Sequence, residues 1–227
     1  MPFRDRAEAG RRLAKALASY KKDNPIILAL VRGGAPVAAE IARALDAPLD
    51  VVLVRKIGVP FQPELAMGAV VDGSCPLTVR NEDVIRLAGV SEADFAAIRD
   101  RETAEIRRRR RRLLANHARI NLTGRIAIVV DDGVATGATT RAALRAVRKQ
   151  HPAKLILAVP VASREALRDL RDESDAIVCL EDYELFDSIG AYYRDFRQVS
   201  DGEVADILSQ FSLTDTIARL AHAKKSQ

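Results

Sequence analysis

The thirteen residues from Ile128 to Thr140, IVVDDGVATGATT, constrain this chain more than any other stretch. The run from Ile126 to Val130 (IAIVV) is short, apolar and β-branched, the pattern of a strand buried on both faces of a parallel sheet. Asp131 and Asp132 follow at its carboxyl end, where open α/β sheets receive their ligands. Like charges side by side repel, so the pair makes sense where a polyol or a Mg²⁺-bearing ligand meets it. Gly133 and Gly137 let backbone N–H groups approach an anion, and Thr136, Thr139 and Thr140 add hydroxyl donors. The next residues, TTRAALRAVRKQ, have helical composition, so the loop opens onto the positive end of a helix. Carboxylates for sugar hydroxyls beside an amide nest for a phosphate are the pattern of a ribose 5-phosphate reader. A Walker P-loop is excluded, because no GK[ST] follows.

At 227 residues the chain is long enough for one full core plus an insertion. Its 48% hydrophobic content with only 4% aromatics and no Trp describes an aliphatic-packed soluble α/β protein. No apolar stretch reaches the roughly 20 residues a membrane helix needs, and the charged start MPFRDRAEAGRRL is no secretory signal. Cys75 and Cys179 are the only cysteines, with no CxxC and no nearby His, so neither zinc nor a disulfide framework is indicated and a reducing cytoplasm is expected. The net charge of +5 is a weak pointer to nucleic acid, since a pyrophosphate site needs cations too.

Along the chain, helix-like and strand-like spacings alternate. Residues 5 to 19 read as an amphipathic helix with Leu13, Ala14 and Leu17 on one side and basic residues on the other. Strands are expected at Ile26 to Leu30 and Leu49 to Val54, with a helix at 35 to 45 between them, a βαβ order that implies a parallel sheet. IGVPFQPELA, residues 57 to 66, has no clean period and reads as an exposed, mobile loop. A strand at Met67 to Val71, a short helix at Asn81 to Leu87 and a long helix from Ser91 to Leu114 follow, Ser91 being the N-cap. After Gly124 come the acidic strand, its helix to about Gln150, a strand at 154 to 159, a helix at 163 to 172 and a strand at 176 to 180. Tail helices are expected near 202 to 210 and 214 to 222. Without a repeat or linker, residues 1 to 227 read as one domain with a helical insertion at about 73 to 123.

VRGGAPV, from Val31, is the second informative motif. Arg32 is a fixed cation, and Gly33 and Gly34 free the backbone for close approach to an anion at a strand's carboxyl end.

IVVDDGVATGATT closely resembles the phosphoribosyl pyrophosphate (PRPP) motif of type I phosphoribosyltransferases, and VRGG, about a hundred residues upstream, resembles their pyrophosphate loop. The resemblance implies that family's parallel sheet flanked by helices, with a small hood and a C-terminal helical region. It implies that Asp131 and Asp132 contact the ribose hydroxyls, and that Ala135, Thr136, Gly137, Ala138 and Thr139 wrap the 5-phosphate. Arg32, Gly33 and Gly34 would serve the pyrophosphate, in a loop whose peptide is often cis in the family. Arg55 and Lys56 end the strand LDVVLVRK and precede GVPFQPELAMGAV, the place of the loop that closes over PRPP; the run VRKIGVP resembles adenine enzymes. Lys56 would neutralise pyrophosphate, and Glu64, the only acid in that loop, is the candidate base. With Asp131 and Asp132 these make up the expected catalytic set. Mg²⁺ is the implied cofactor, held mainly by PRPP rather than by direct protein ligands.

The implied reaction moves the 5-phosphoribosyl group of PRPP to a nitrogenous acceptor, such as a nucleobase, and releases pyrophosphate. Where hypoxanthine-guanine enzymes carry a third Asp in the motif, this chain has Ala135, as adenine enzymes do. Over about residues 3 to 210 the chain is similar to a bacterial group of phosphoribosyltransferases, a likeness that brings no acceptor with it. Six consecutive arginines, Arg107 to Arg112, lie on the long helix, and Glu105 is placed to pair with Arg108 or Arg109. A solvated helix that lids the site or joins two copies in a dimer is the favoured reading. The alternative is a PRPP-binding regulator that contacts nucleic acid through those arginines. The hood that selects the acceptor is expected in the insertion or in EDYELFDSIGAYYRDF, which holds five of the ten aromatics. A C-terminal packing cluster is the preferred reading of those rings.

Overall fold

The computed structural model describes residues 2–72, 76–114 and 120–211. Helix α1 (Arg6–Ala16) starts where the Asp5 carboxylate accepts the Glu8 N–H at 2.7 Å, and it buries Ala9, Gly10, Leu13 and Ala14. A 3₁₀ turn at Ala18–Asp23 leads into β1 (Ile26–Leu30), which is buried throughout, then α2 (Gly34–Leu45) and β2 (Leu49–Val52).

LDVVLV is not one strand. It breaks at Leu53, and the chain passes into an antiparallel sheet of β3 (Val54–Val59), β4 (Gln62–Val71) and β5 (Leu77–Arg80). The expected loop at 57 to 66 is therefore a β-hairpin turning at Pro60 and Phe61. Its register shifts on either side of Gly58, and Pro63 sits in the irregular part of the ladder, where a missing N–H costs least. Gln62 to Leu65 are exposed, which is why no apolar alternation marks them.

The stretch expected as a helical insertion contains β5 as well as α3 (Glu82–Leu87) and α4 (Glu92–Leu113), and Ser91 caps α4 by accepting the Asp94 N–H. Then follow β6 (Ile126–Val130), α5 (Ala138–Arg148), β7 (Lys154–Ser163), α6 (Arg164–Leu170), β8 (Ala176–Tyr183) and α7 (Asp201–Ser209). The helix expected at 214 to 222 and the Cys75 side chain lie outside the described residues.

Five strands make an all-parallel sheet in the order β2-β1-β6-β7-β8. Period-two alternation divides the core: Ile27, Ala29, Ile128 and Val130 pack with α1, α2 and α7, whereas Ile26, Leu28, Ala127 and Val129 pack with α5 and α6. From β1 the chain moves one way to β2, and from β6 the other way to β7 and β8. The β1/β6 border is thus the switch point of an open α/β sheet, the place where such sheets bind ligands. Among the described residues no helix is long and apolar enough to cross a membrane.

Candidate active site

The register Ala29↔Val130 sets the carboxyl ends of β1 and β6 side by side, so the loops after them must meet. They meet closely. A Cβ on Gly34 would lie 2.5 Å from the carbonyl oxygen of Val130, and one on Gly33 would lie 2.1 Å from Oδ2 of Asp132. No other residue type fits either place without movement. The Val31–Arg32 peptide is cis. Arg32 is half-buried, and its side chain has no hydrogen-bond or ion-pair partner among the described residues.

The loop after β6 is fastened to the far end of β7. Val134 donates its N–H to the Val161 carbonyl at 3.0 Å and accepts from the Ser163 N–H at 2.9 Å. Ser163 Oγ donates to the Ala135 carbonyl at 2.7 Å and also caps α6 by accepting the Ala166 N–H. Gly137, at φ 76°, takes the left-handed turn that opens α5, a conformation side chains disfavour. Thr136, Ala138 and Thr139 are exposed around that helix start, and Ala135 is half-buried.

Asp131 and Asp132 sit between these loops. The Asp131 carboxylate accepts the Asp132 N–H at 2.9 Å. Burial, and then the charge of Asp132, push the Asp131 carboxyl well above the usual carboxylate range. Burial also raises Asp132, but Arg6 opposes that shift. Arg6 Nε donates to Asp132 Oδ2 at 2.8 Å, and both side chains are only about a tenth exposed. Among the described residues no group of three or more His, Cys, Asp or Glu is arranged to hold a metal ion.

Lys56 and Glu64 are brought together as an ion pair across the β3–β4 hairpin: Lys56 Nζ donates to Glu64 Oε2 at 2.9 Å and to the Glu64 carbonyl at 3.1 Å. The Glu64 side chain is 95% exposed. Lys56 borders two cavities. One of about 380 Å³ lies between the hairpin and α5 and includes Ala138 and Thr139; the other, of about 700 Å³, lies between the hairpin and α4 and includes Glu64. Neither cavity is lined by Asp131 or Asp132, so the hairpin pair and the acidic pair stand apart in this structure.

Residues 4–194 match the phosphoribosyl transferase domain family. This chain belongs to that family. Two Mycobacterium tuberculosis proteins, Rv0571c and MT0597, provisionally named phosphoribosyl transferases, are each 45% identical over 208 residues. The match takes in 92% of this chain but 46% of each relative, so the chain spans about half their length. The crystal structure of TT1426 from Thermus thermophilus superposes with a TM-score of 0.81 at 40% identity, covering 93% of this chain and all of that one.

Three residues of the candidate site in this phosphoribosyl transferase family member escape a reading of the sequence. Besides bonding Asp132, Arg6 donates from Nη1 to the Arg197 carbonyl at 2.9 Å, and its guanidinium lies 3.9 Å from the centre of the Phe196 ring. Tyr193 donates its hydroxyl to the Asp132 carbonyl at 2.6 Å, and burial pushes its phenol far up. Ser163 is the third. A signal for Arg6 exists: it continues the stripe of Ala9, Gly10 and Leu13, so a cation stands on the buried face of an amphipathic helix.

The aromatic tail packs as a cluster, as expected: Phe3 and Phe196 each adjoin Tyr193, and Tyr183 and Phe186 flank Tyr192. Ile189 from the same segment covers Gly133, where a Cβ would lie 2.6 Å from Cγ2. Of the six arginines, Arg108 pairs with Glu105, Arg109 with Asp201 at the start of α7, and Arg110 with Asp72. Two of the six therefore tie α4 to other parts of the chain, and a third is paired within the helix itself.

Proposed function

We propose that this chain transfers the 5-phosphoribosyl group of PRPP to a nitrogenous acceptor and releases pyrophosphate. The observation that carries the reading is the meeting of Gly33 and Gly34 with Asp131 and Asp132 at the β1/β6 switch point, beside the unpartnered cation Arg32. Breaking the bond from the anomeric carbon to pyrophosphate leaves positive charge on the sugar and adds negative charge to the leaving group. The acidic pair suits the first and the ribose hydroxyls. Arg32 and the amides near Gly33 suit the second. Thr136 to Thr139, at the N-terminus of α5, suit the 5-phosphate.

Lys56 and Glu64 have coupled roles in this scheme. Lys56 exchanges Glu64 for a pyrophosphate oxygen when the hairpin closes, which frees the exposed Glu64 carboxylate to take a proton from the acceptor nitrogen. Ala135 brings no acid of its own to that task. The donor set around Asp131 is hard oxygen, which suits Mg²⁺ brought in on the diphosphate. When bound it would neutralise leaving-group charge.

The test is pyrophosphate release from PRPP and Mg²⁺, screened across nucleobases and other nitrogen acceptors. Asp131→Asn should lower the rate on the order of 100-fold. A second reading rests on Arg107, Arg111 and Arg112, which are exposed and carry no ion pair among the described residues. They suit a PRPP-binding regulator that touches nucleic acid. PRPP binding with no acceptor releasing pyrophosphate, together with salt-sensitive nucleic-acid binding lost on changing these three residues, would favour that reading.

A further inference from the structure

Asp132 is not free in the way Asp131 is. Its Oδ2 is bonded by Arg6, its carboxyl group fills the space a Gly33 side chain would take, and its carbonyl is held by the Tyr193 hydroxyl. Arg6 is itself fixed on three sides: by the Asp132 carboxylate, by the Arg197 carbonyl and by the face of Phe196. The segment that supplies Tyr193, Phe196 and Arg197 is tied to the chain's start by backbone bonds, Phe3 N–H to the Tyr192 carbonyl and Arg194 N–H to the Phe3 carbonyl, both 2.8 Å. A continuous path therefore runs from this ladder through Arg6 and Asp132 to the glycine loop after β1.

We propose that Arg6 is a positioning residue that acts through Asp132, bracing its carboxylate against Gly33 so that the glycine loop is held in place for pyrophosphate. The proposal rests on PRPP being the donor. Two properties favour bracing over a direct substrate contact. The Arg6 side chain is about nine-tenths buried, and its Nε and Nη1 are already committed to protein oxygens. Guanidinium is suited to such work, because its planar fork keeps charge and direction at any working pH.

The two acidic residues then differ in what they affect. Loss of the brace should disturb a ligand that carries pyrophosphate more than one that carries only the sugar and its 5-phosphate. Loss of Asp131 should disturb both alike.

The experiment is calorimetric titration of the full chain with PRPP and, separately, with ribose 5-phosphate, both with Mg²⁺. Arg6→Gln should weaken PRPP about tenfold or more and ribose 5-phosphate less than about threefold. Arg6→Lys should recover part of the PRPP loss, and Asp131→Asn should weaken the two ligands equally. Should Arg6→Gln fail to fold, Phe196→Leu, which keeps the ion pair and removes the ring beneath it, should show the same imbalance at smaller size. Equal loss of both ligands on changing Arg6 or Phe196, or PRPP affinity within twofold of the parent, overturns the positioning role and leaves the donor reading standing. A parent chain that binds neither ligand overturns both.

Discussion

Gly33 and Asp132, 99 positions apart along the chain, occupy one space between them: a Cβ on the glycine would sit 2.1 Å from the aspartate's Oδ2. The backbone of Gly33, at φ −59°, would accept any residue, so the obstacle is the carboxyl group alone. Gly33→Ala should therefore destabilise the chain by about 1–3 kcal/mol through overpacking. The same change should cost clearly less in an Asp132→Ala background. Urea unfolding of the four chains measures the coupling, and equal penalties in both backgrounds would refute the shared-space account.

Removing the aspartate alone has a different consequence. Asp132→Ala leaves the buried Arg6 guanidinium without its carboxylate, and losing one partner of a buried pair costs about 3–5 kcal/mol. The double variant Arg6→Met with Asp132→Ala should regain much of that loss, because no charge is stranded. Chemical unfolding at neutral pH decides it.

Asp131 carries a pH signature. Burial and the neighbouring Asp132 raise its carboxyl, so the folded chain holds a proton that the unfolded chain gives up above pH about 3.9. Folded stability from this group thus falls as pH rises from that value through the raised one, and the full penalty stands above it. Asp131→Asn escapes the penalty. Its melting temperature should match the parent near pH 4 and exceed it at neutral pH, by about 2–4 °C for each 1 kcal/mol in a chain of this size. A gap that does not change with pH would rule this out.

For Glu64, exposure separates stability from chemistry. Its ion pair with Lys56 is at the surface, so Glu64→Gln should change stability by less than about 1 kcal/mol. If it is the base, kcat should drop while PRPP affinity holds within about twofold. An unchanged kcat removes it from that role.

Burial pushes the Cys179 thiol up to about 11, and the thiol points at the Glu181 carbonyl. Few thiolates form at neutral pH, so alkylation should run on the order of 100-fold slower than for a free thiol. Peptide mass spectrometry after timed iodoacetamide treatment reads the rate at this residue.

Local signals carried most of the architecture. The apolar runs at Ile26 and Ile126, the Ser91 cap and the glycines of both loops announce themselves within a few residues, because each is a short-range physical requirement. What depends on distant partners did not show. Leu49 to Val54 is one apolar run in composition, but its halves join different sheets. The hairpin at 54 to 71 lacks alternation because its outer end faces solvent on both sides. Arg6 reads as one more basic residue on a basic helix until its partner, 126 residues later, lies beside it. Ser163 was legible as the edge of a helix but not as the clasp of the Ala135 loop, for the same reason.

Between β2 and β6 the chain leaves the parallel sheet, builds β3 to β5 with α3 and α4, and returns to lie against β1. No strand of that excursion pairs in the parallel sheet, but its inner residues do reach the core there: Ala69 and Val71 lie in the same buried cluster as Leu28 and Val129. The hairpin that carries Lys56 and Glu64 is thus rooted in the sheet at one end and free in solvent at the other, an arm with a fixed shoulder and an open hand.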